Sequence, residues 1–191
     1  MFEWTERTYN PHRRLSDTAR RRITGGLKLM EVISVTQPNL TLLAGEAAPR
    51  TKPSNYPEPF ATMMAGRIKR PIGDPFGLKS FGVNHVTLPP GAISALHHRH
   101  SAQDEFVYVV SGTVTLVHDS GEAILTSGMC AGFPHGGTAH HLVNRSTANA
   151  AYIEVGDRQS GDSVQYPRDD IEAVLGSDGK WRFAHKDGTP Y

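Results

Sequence analysis

The feature that most constrains the fold is a run of short β-type segments between residues 80 and 156, each ended by turn-forming residues. Each segment is four to nine residues long, and no helical pattern alternates with them. Strands that recur about every 8–12 residues, with turn signals between them, are typical of a sandwich or small barrel. We therefore expect an all-β protein rather than a parallel α/β fold. The predicted strands are 80–88, 105–111, 113–119, 122–126, 130–133, 140–144 and 150–156.

Two tight connections are expected inside this run. Only Gly112 separates the second and third segments, so we expect 105–111 and 113–119 to pair as a hairpin. Ser120-Gly121 predicts a second tight turn, which leads into the segment that starts at residue 122.

The flanks of this run divide the chain further. Seven prolines between residues 37 and 77 forbid long helices there. The four predicted segments are a basic N-terminal extension (1–36), a proline-rich lead-in with short strands near 40–43 and 62–69 (37–77), a barrel core (78–158) and a C-terminal tail with a short helix near 169–175 and a strand near 180–185 (159–191).

Charge is distributed unevenly along the chain. Residues 1–30 carry seven Lys/Arg and three Asp/Glu, whereas the rest carries thirteen and sixteen. The mildly acidic body argues against nucleic-acid binding. We expect the arm to be a disordered extension, a segment that precedes a true start at Met30, or a nucleic-acid-binding tail. It holds no apolar stretch long enough for a secretory signal or a membrane span, so we expect a cytoplasmic protein without a membrane partner.

Histidines fall in two tight groups. In the first group, His98 and His100 lie two residues apart, so on a strand they point to one face, about 7 Å apart along the strand. Glu105 opens the next predicted strand and can supply a carboxylate oxygen. His97 points to the opposite face and is expected to be a surface or dimer-contact residue.

The second group contains His140 and His141, of which only one can face a shared site. Three imidazoles and one carboxylate suit a divalent first-row metal, namely Fe, Mn, Ni, Zn, Co or Cu. Calcium and magnesium prefer more oxygen ligands. Cys130 is the single cysteine, which excludes a multi-cysteine zinc site, and we expect it to be a small buried hydrophobic residue.

Both groups lie in motifs that resemble those of the cupin superfamily, G-x5-HxH-x3,4-E-x6-G and G-x5-PxG-x2-H-x3-N. Each motif departs by one extra loop residue, before His98 and before His140. The resemblance implies a double-stranded β-helix, or jelly-roll barrel, with an extended lead-in and a tail. It also implies that the metal ligands are His98, His100, Glu105 and His140. The matching positions are Gly91, His98, His100, Glu105 and Gly112 in the first motif, and Gly128, Pro134, Gly136, His140 and Asn144 in the second.

A narrower resemblance is to small bacterial single-domain cupins (RmlC-like, conserved-barrel proteins). It covers roughly the last 145 residues, from YPEPF (56–60) to HKDGTPY (185–191), and leaves out the N-terminal arm. Some such relatives carry a sugar-phosphate isomerase label that rests on analogy.

Three functions remain open at this point. The first is a metal-dependent enzyme acting on a small polar molecule, with oxygenase (dioxygenase), sugar-type isomerase or lyase chemistry. The alternatives are a non-catalytic domain that binds or senses a small ligand, and a structural metal site.

Candidate catalytic groups beside the metal are few. They are Glu105, which can leave a metal more readily than an imidazole, His135 in a Pro-His-Gly turn, and Asn84 with its neighbour His85 on the strand that enters the barrel. No pair of Arg/Lys residues on inner strand positions is evident. Open edge strands are normally covered by partners, so we expect a homodimer. We also expect the protein to bind a small-molecule ligand.

Overall fold

A computed structural model describes residues 40–52 and 54–191 of the chain. Within these residues it contains twelve strands, one short helix and two 3-10 turns. The strands are β1 (Ile68–Pro71), β2 (Phe81–Leu88), β3 (Arg99–His100), β4 (Glu105–Ser111), β5 (Thr113–His118), β6 (Gly121–Thr126), β7 (Cys130–Phe133), β8 (His140–Val143), β9 (Ala150–Asp157), β10 (Ser163–Gln165), β11 (Glu172–Leu175) and β12 (Trp181–Ala184). The helix α1 spans Phe60–Met63, and the 3-10 turns span Ala44–Glu46 and Asp74–Phe76.

Two expectations concern the start of the chain. The basic extension at 1–36 and the alternative start at Met30 lie outside the described residues. Among the residues that the structure does describe, no helix is long and apolar enough to cross a membrane.

The strands form three antiparallel sheets, which confirms the predicted all-β jelly-roll architecture. The five-stranded sheet has the order β1-β2-β9-β4-β7, the three-stranded sheet β6-β5-β8 and the four-stranded sheet β12-β11-β10-β3. Strand β2 pairs with β9 over eight residue pairs, and β9 also pairs with β4. This long ladder fixes the register of the side chains that face the barrel interior.

Alternation along the strands explains where the core lies. In β2, Asn84, Val86 and Leu88 are buried, while the residues between them are partly exposed. In β4, the buried positions are Val107 and Val109. The core joins residues of the five-stranded and three-stranded sheets: Val86, Leu88, Val107, Val109, Val114, Leu116, Leu125, Phe133, Leu142, Ala150 and Tyr152, with Ala92 from the connecting segment.

The predicted hairpin between residues 105–111 and 113–119 is wrong. Strand β4 pairs with β7 and β9, whereas β5 pairs with β6 and β8, so the chain changes sheet at Gly112. Gly112 has a φ of 75°, and a Cβ there would meet the Cα of Ala150 and the carbonyl oxygen of Asn149 at 2.8 Å. The glycine is thus a corner between sheets. The turn before β6 is tight, as expected, since His118 pairs with Gly121.

The lead-in and the tail contribute to a second apolar cluster. Its buried members are Phe60, Met64, Leu96, Val164, Tyr166, Ile171 and Ala173. Three local expectations for these segments are wrong. Residues 40–43 form no strand, and the strand expected at 62–69 is found at 68–71 as β1, after the helix α1. Residues 172–175, expected to be helical, form the strand β11. Strand β11 forms because it pairs with both β10 and β12. The strand expected near 180–185 is present as β12.

Candidate metal centre

His98 and His140 are held beside each other by the backbone. The amide of His98 donates to the carbonyl of His140 at 3.1 Å, and the amide of His140 donates back at 2.8 Å. His98 immediately precedes β3, which carries His100, whereas His140 begins β8. The fold therefore brings three imidazoles from two distant stretches of sequence to one place.

Glu105, at the start of β4, lies at the centre of these rings. Its Oε2 atom is 3.3 Å from Nε2 of His98 and 3.2 Å from Nε2 of His140, and its Oε1 atom is 3.8 Å from Nε2 of His100. Ligand atoms of His98, His100 and Glu105 all lie within 4.8 Å of one another and could hold a metal ion. His140 contacts Glu105 but falls outside that mutually close group.

The second ring nitrogens are occupied by other groups. Nδ1 of His98 lies 2.9 Å from the carbonyl oxygen of Leu96, and Nδ1 of His100 lies 2.5 Å from Oδ2 of Asp162. When Nδ1 carries the proton, the lone pair is on Nε2. The Nε2 atoms point toward Glu105, as ligand atoms around a shared ion would.

Asp162 is a site residue that the sequence did not reveal. Its side chain is fully buried, and its other oxygen accepts hydrogen bonds from the Ala102 amide at 2.8 Å and the Ser101 hydroxyl at 3.2 Å. It precedes β10, which pairs with β3 in the four-stranded sheet. No local motif connects Asp162 with His100, because 62 residues separate them.

Charges inside the centre are strongly coupled. Burial alone would raise the pKa of Glu105, but the contacts with His140 and His98 and the nearby His100 hold that pKa well below its ordinary value. Burial would lower the pKa of His98, yet the adjacent carboxylate raises it. At His140 burial dominates and lowers the pKa. Glu105 is therefore an anion, the form that binds a cation.

One buried oxygen atom of the centre has no hydrogen-bond partner among the described residues. Oε2 of Glu105 is buried and makes no hydrogen bond of acceptable geometry. A buried carboxylate oxygen without a donor is costly. A divalent ion among three imidazole nitrogens and this carboxylate would satisfy it, and such a mixed nitrogen and oxygen set fits a first-row transition metal.

The centre opens into a cavity of about 640 Å³. Its wall includes the aromatic residues Tyr56, Tyr152, Tyr166, Trp181 and Phe183 and the basic residues Arg50, Arg67, Lys69 and Arg158. No pair of Arg/Lys residues on inner strand positions was evident in the sequence, and of these four basic residues only Lys69 lies within a strand. Lys69 lies in β1, and its Nζ atom is 2.5 Å from Oε1 of Glu154.

Predicted catalytic candidates occupy different environments. Asn84 lines the cavity and donates to Oε1 of Glu154 at 3.1 Å. His85 points to the other face of β2. The side chain of His135 is 62% exposed, and its Nδ1 atom lies 2.9 Å from Oδ1 of Asp104. His135 is not among the described residues that line the cavity. Two cavity residues that were not predicted from the sequence are Tyr152 and Glu154. They lie two residues apart on β9, so their side chains point to the same face of the sheet, toward the cavity.

His97 and Cys130 lie in environments that differ from those expected from the sequence. His97, expected at the surface, is 3% exposed, and its Nε2 lies 2.9 Å from Asp119 while its Nδ1 lies 3.2 Å from Nδ1 of His141. Cys130, expected to be buried, is exposed. Its side chain shares the outer face of the sheet with Tyr108, its partner across β4 and β7.

Similarities to known proteins agree with this geometry. Residues 84–156 match the family described as Cupin domain. No protein with curated function matches the chain significantly. A crystal structure of a sugar phosphate isomerase of the cupin superfamily from Silicibacter pomeroyi DSS-3 is 39% identical, covering 79% of this chain and 96% of that one with a TM-score of 0.74.

Two more solved structures are similar. A putative sugar phosphate isomerase from Acidithiobacillus ferrooxidans is 28% identical, with coverage of 65% and 80% and a TM-score of 0.60. The polyketide cyclase RemF from Streptomyces resistomycificus, at 18% identity, 62% and 79% coverage and a TM-score of 0.52, shares the fold alone. With its jelly-roll sheets, its two histidine motifs and a relative 39% identical over 96% of that relative's length, the chain belongs to the cupin superfamily.

Proposed function

We propose that this protein is a metal-dependent isomerase that acts on a small phosphorylated sugar. The observation that carries the proposal is a cage of three imidazoles and a carboxylate that opens into a cavity of about 640 Å³ with aromatic and basic residues in its wall. The names of the relatives from Silicibacter pomeroyi and Acidithiobacillus ferrooxidans support the substrate class.

The proposed metal ligands are His98, His100, Glu105 and His140. The ion is one divalent transition metal from the set Fe, Mn, Ni, Zn, Co and Cu. When bound, such an ion polarises a carbonyl or hydroxyl oxygen as a Lewis acid. The protein keeps the Nε2 lone pairs available through the contacts that His98 and His100 make with Leu96 and Asp162.

Glu154 is the proposed proton acceptor in this reaction. Lys69 and Asn84 both contact its Oε1 atom, which holds the carboxylate in one orientation inside the cavity. In the antiparallel pairing of β4 with β9, Glu154 lies opposite Val107. Gly156, two residues further along β9, lies opposite Glu105, so Glu154 and Glu105 are diagonal neighbours. Diagonal neighbours of this kind have Cα atoms roughly 7–8 Å apart, so a small substrate can touch both the cage and Glu154.

Tyr152 is the proposed hydroxyl donor. Its ring is 1% exposed, and its hydroxyl has no hydrogen-bond partner among the described residues. Burial and the nearby Glu154 raise the pKa of Tyr152 well above its ordinary value. The hydroxyl therefore stays protonated and can donate to a substrate oxygen at neutral pH.

The experiment is an isomerisation assay of the metal-loaded protein on a panel of aldose and ketose phosphates, followed by proton NMR in deuterium oxide. Interconversion with deuterium incorporated at the carbon beside the carbonyl is the expected result. Glu154→Gln should lose turnover by about 100-fold or more while it keeps its metal. Glu172→Gln, a change at an exposed position on β11, is the matched control.

The metal assignment has its own readout. Elemental analysis should find about one equivalent of metal in the wild type, and His98→Ala and His140→Ala should lose it. Wild-type metal content in both variants would contradict the four-residue cage. Saturable binding of a sugar phosphate without any turnover would favour the alternative function, a non-catalytic domain that binds a small ligand.

A further inference from the structure

A second cavity, of about 230 Å³, shares part of its wall with the main one. Four of its six lining residues are basic, and no carboxylate belongs to the lining. Arg50, Arg67 and Lys69 line both cavities. The complete lining is Pro49, Arg50, Arg67, Ile68, Lys69 and Arg70.

The side cavity is formed by backbone pairing at the edge of a sheet. Strand β1 is the last strand of the five-stranded sheet, and the amide of Arg50 donates to the carbonyl of Lys69 at 2.9 Å. This bond holds the segment before α1 alongside β1. Residues of both stretches therefore line the same space.

Two of the basic residues around the side cavity have partners within the protein that the structure shows directly. Lys69 pairs with Glu154, and Arg67 donates to the carbonyl of Ser94. Nε of Arg70 is buried and has no hydrogen-bond partner among the described residues, although a buried N–H of this kind is costly. The nearby Arg70 also helps to lower the pKa of His85, after the effect of burial. An anion in the side cavity would offset the charge of the basic residues that line it.

We propose that this basic side cavity is an anion subsite that binds the phosphate group of the substrate. A phosphate monoester carries about two negative charges at neutral pH and three acceptor oxygens. The planar donor forks of arginine match those oxygens, and several forks favour phosphate over a singly charged carboxylate. The shared wall lets the sugar extend from the side cavity toward the cage. The link to turnover rests on the proposed function, whereas binding of the anion itself does not.

The test is calorimetric titration of the full-length, metal-loaded protein with inorganic phosphate. We expect saturable binding at one site. Arg50→Ala and Arg70→Gln should each weaken it about tenfold or more, since each removes charge-assisted hydrogen bonds. Arg145→Ala is the matched control, because Arg145 is exposed and pairs with Glu122 on another sheet. It should change phosphate affinity less than about twofold.

A second arm separates this subsite from the metal. His98→Ala, which removes a proposed ligand, should retain phosphate binding within about threefold. Loss of binding in His98→Ala, equal affinity of Arg50→Ala, Arg70→Gln and wild type, or no binding at about 10 mM phosphate would each overturn the subsite. Near-ultraviolet circular dichroism of each variant verifies folding, and Arg50→Lys should restore part of the affinity if charge is what matters. Phosphate binding without isomerase turnover would contradict the proposed function and leave the subsite standing.

Discussion

The imidazole of His100 is bonded to the fully buried carboxylate of Asp162, with 2.5 Å between Nδ1 and Oδ2. A carboxylate behind a ligating histidine fixes the ring orientation and strengthens the nitrogen on the other side as a donor. Asp162, the residue directly before β10, therefore supports the cage from outside the stretch 98–140 that holds the four proposed ligands.

Asp162→Asn is expected to reduce metal affinity by about 10- to 100-fold. The amide keeps the size of the side chain but loses the charge that supports His100. Competition with a chelator of known affinity measures the change. Asp178→Asn, at an exposed carboxylate paired with Arg182, is the control and should leave metal affinity unchanged. Equal affinities for Asp162→Asn and wild type would show that the His100 contact only serves packing.

Metal removal should lower the thermal stability of the protein. A ligand that binds only the folded state at about 100 times its dissociation constant stabilises it by about 2.7 kcal/mol. We expect chelation to lower the melting temperature of the wild type by several degrees. His98→Ala should melt at the same temperature with or without chelator. A chelator effect of equal size in both proteins would place the bound metal elsewhere.

Gly112→Ala should destabilise the protein by about 2–4 kcal/mol. The new Cβ would sit 2.8 Å from backbone atoms of Ala150 and Asn149, and φ is 75°. Gly128→Ala provides the comparison, because Gly128 has a φ of 89° but nothing within 4 Å of the added Cβ. We expect it to cost about 1–2 kcal/mol through backbone strain alone. Urea denaturation measures both, and equal losses would mean that the close approach at Gly112 is relieved by relaxation.

A pH-dependent contribution is expected from Asp170. Its carboxylate accepts the backbone N–H of Lys186 at 3.0 Å and lies 2.8 Å from Nδ1 of His185. These contacts hold the pKa of Asp170 below its ordinary value of 3.8. The unfolded chain therefore binds more protons near pH 4, so the contribution is complete above that pH and is lost as pH falls through the folded pKa.

Urea midpoints of wild type and Asp170→Asn test this directly. The gap between the two should be constant from about pH 5 to 7 and should close below about pH 4. Asp169→Asn, one residue earlier, is the control. A gap that stays constant down to about pH 3 would rule out the contribution of this carboxylate.

A homodimer is expected in solution. Phe106, Tyr108 and Val110 are each 43% exposed on the outer side of β4, next to the open edge strand β7. Apolar sheet surfaces and free edges of this kind are normally covered. Light scattering should give about twice the chain mass of 20.9 kDa, and Tyr108→Lys should shift the protein toward the monomer. A wild-type mass of 20.9 kDa would contradict the prediction.

Much of the barrel could be predicted from the sequence because alternation of apolar residues is a local property. The segments 105–111 and 130–133 coincide with β4 and β7, and each of the other five predicted strands differs from the observed one by a single residue at one end. Which sheet a strand joins is not a local property. The short link at Gly112 is compatible with a hairpin, and only the pairing of β4 and β5 with different strands shows that the chain turns a corner there.

The site was predicted to the extent that its residues lie in motifs. Strand spacing suggested that His98 and His100 share a face, and the motif resemblance added Glu105 and His140 as ligands. Asp162 and Glu154 could not be found in this way, because each meets its partner through the pairing of strands distant in sequence. Strand parity placed His97 on the face opposite to His98, but it could not show that Asp119 covers that face.

The four cage residues all lie between positions 98 and 140, whereas the cavity wall also draws on residues 50–95 before them and 142–183 after them. Much of the cavity wall is therefore supplied by parts of the chain that carry no proposed metal ligand. A chimera that exchanges residues 49–70 for those of a related cupin should change which molecule is accepted while it preserves metal content. By the same logic, a match confined to residues 84–156 predicts the reaction chemistry of a relative better than its substrate.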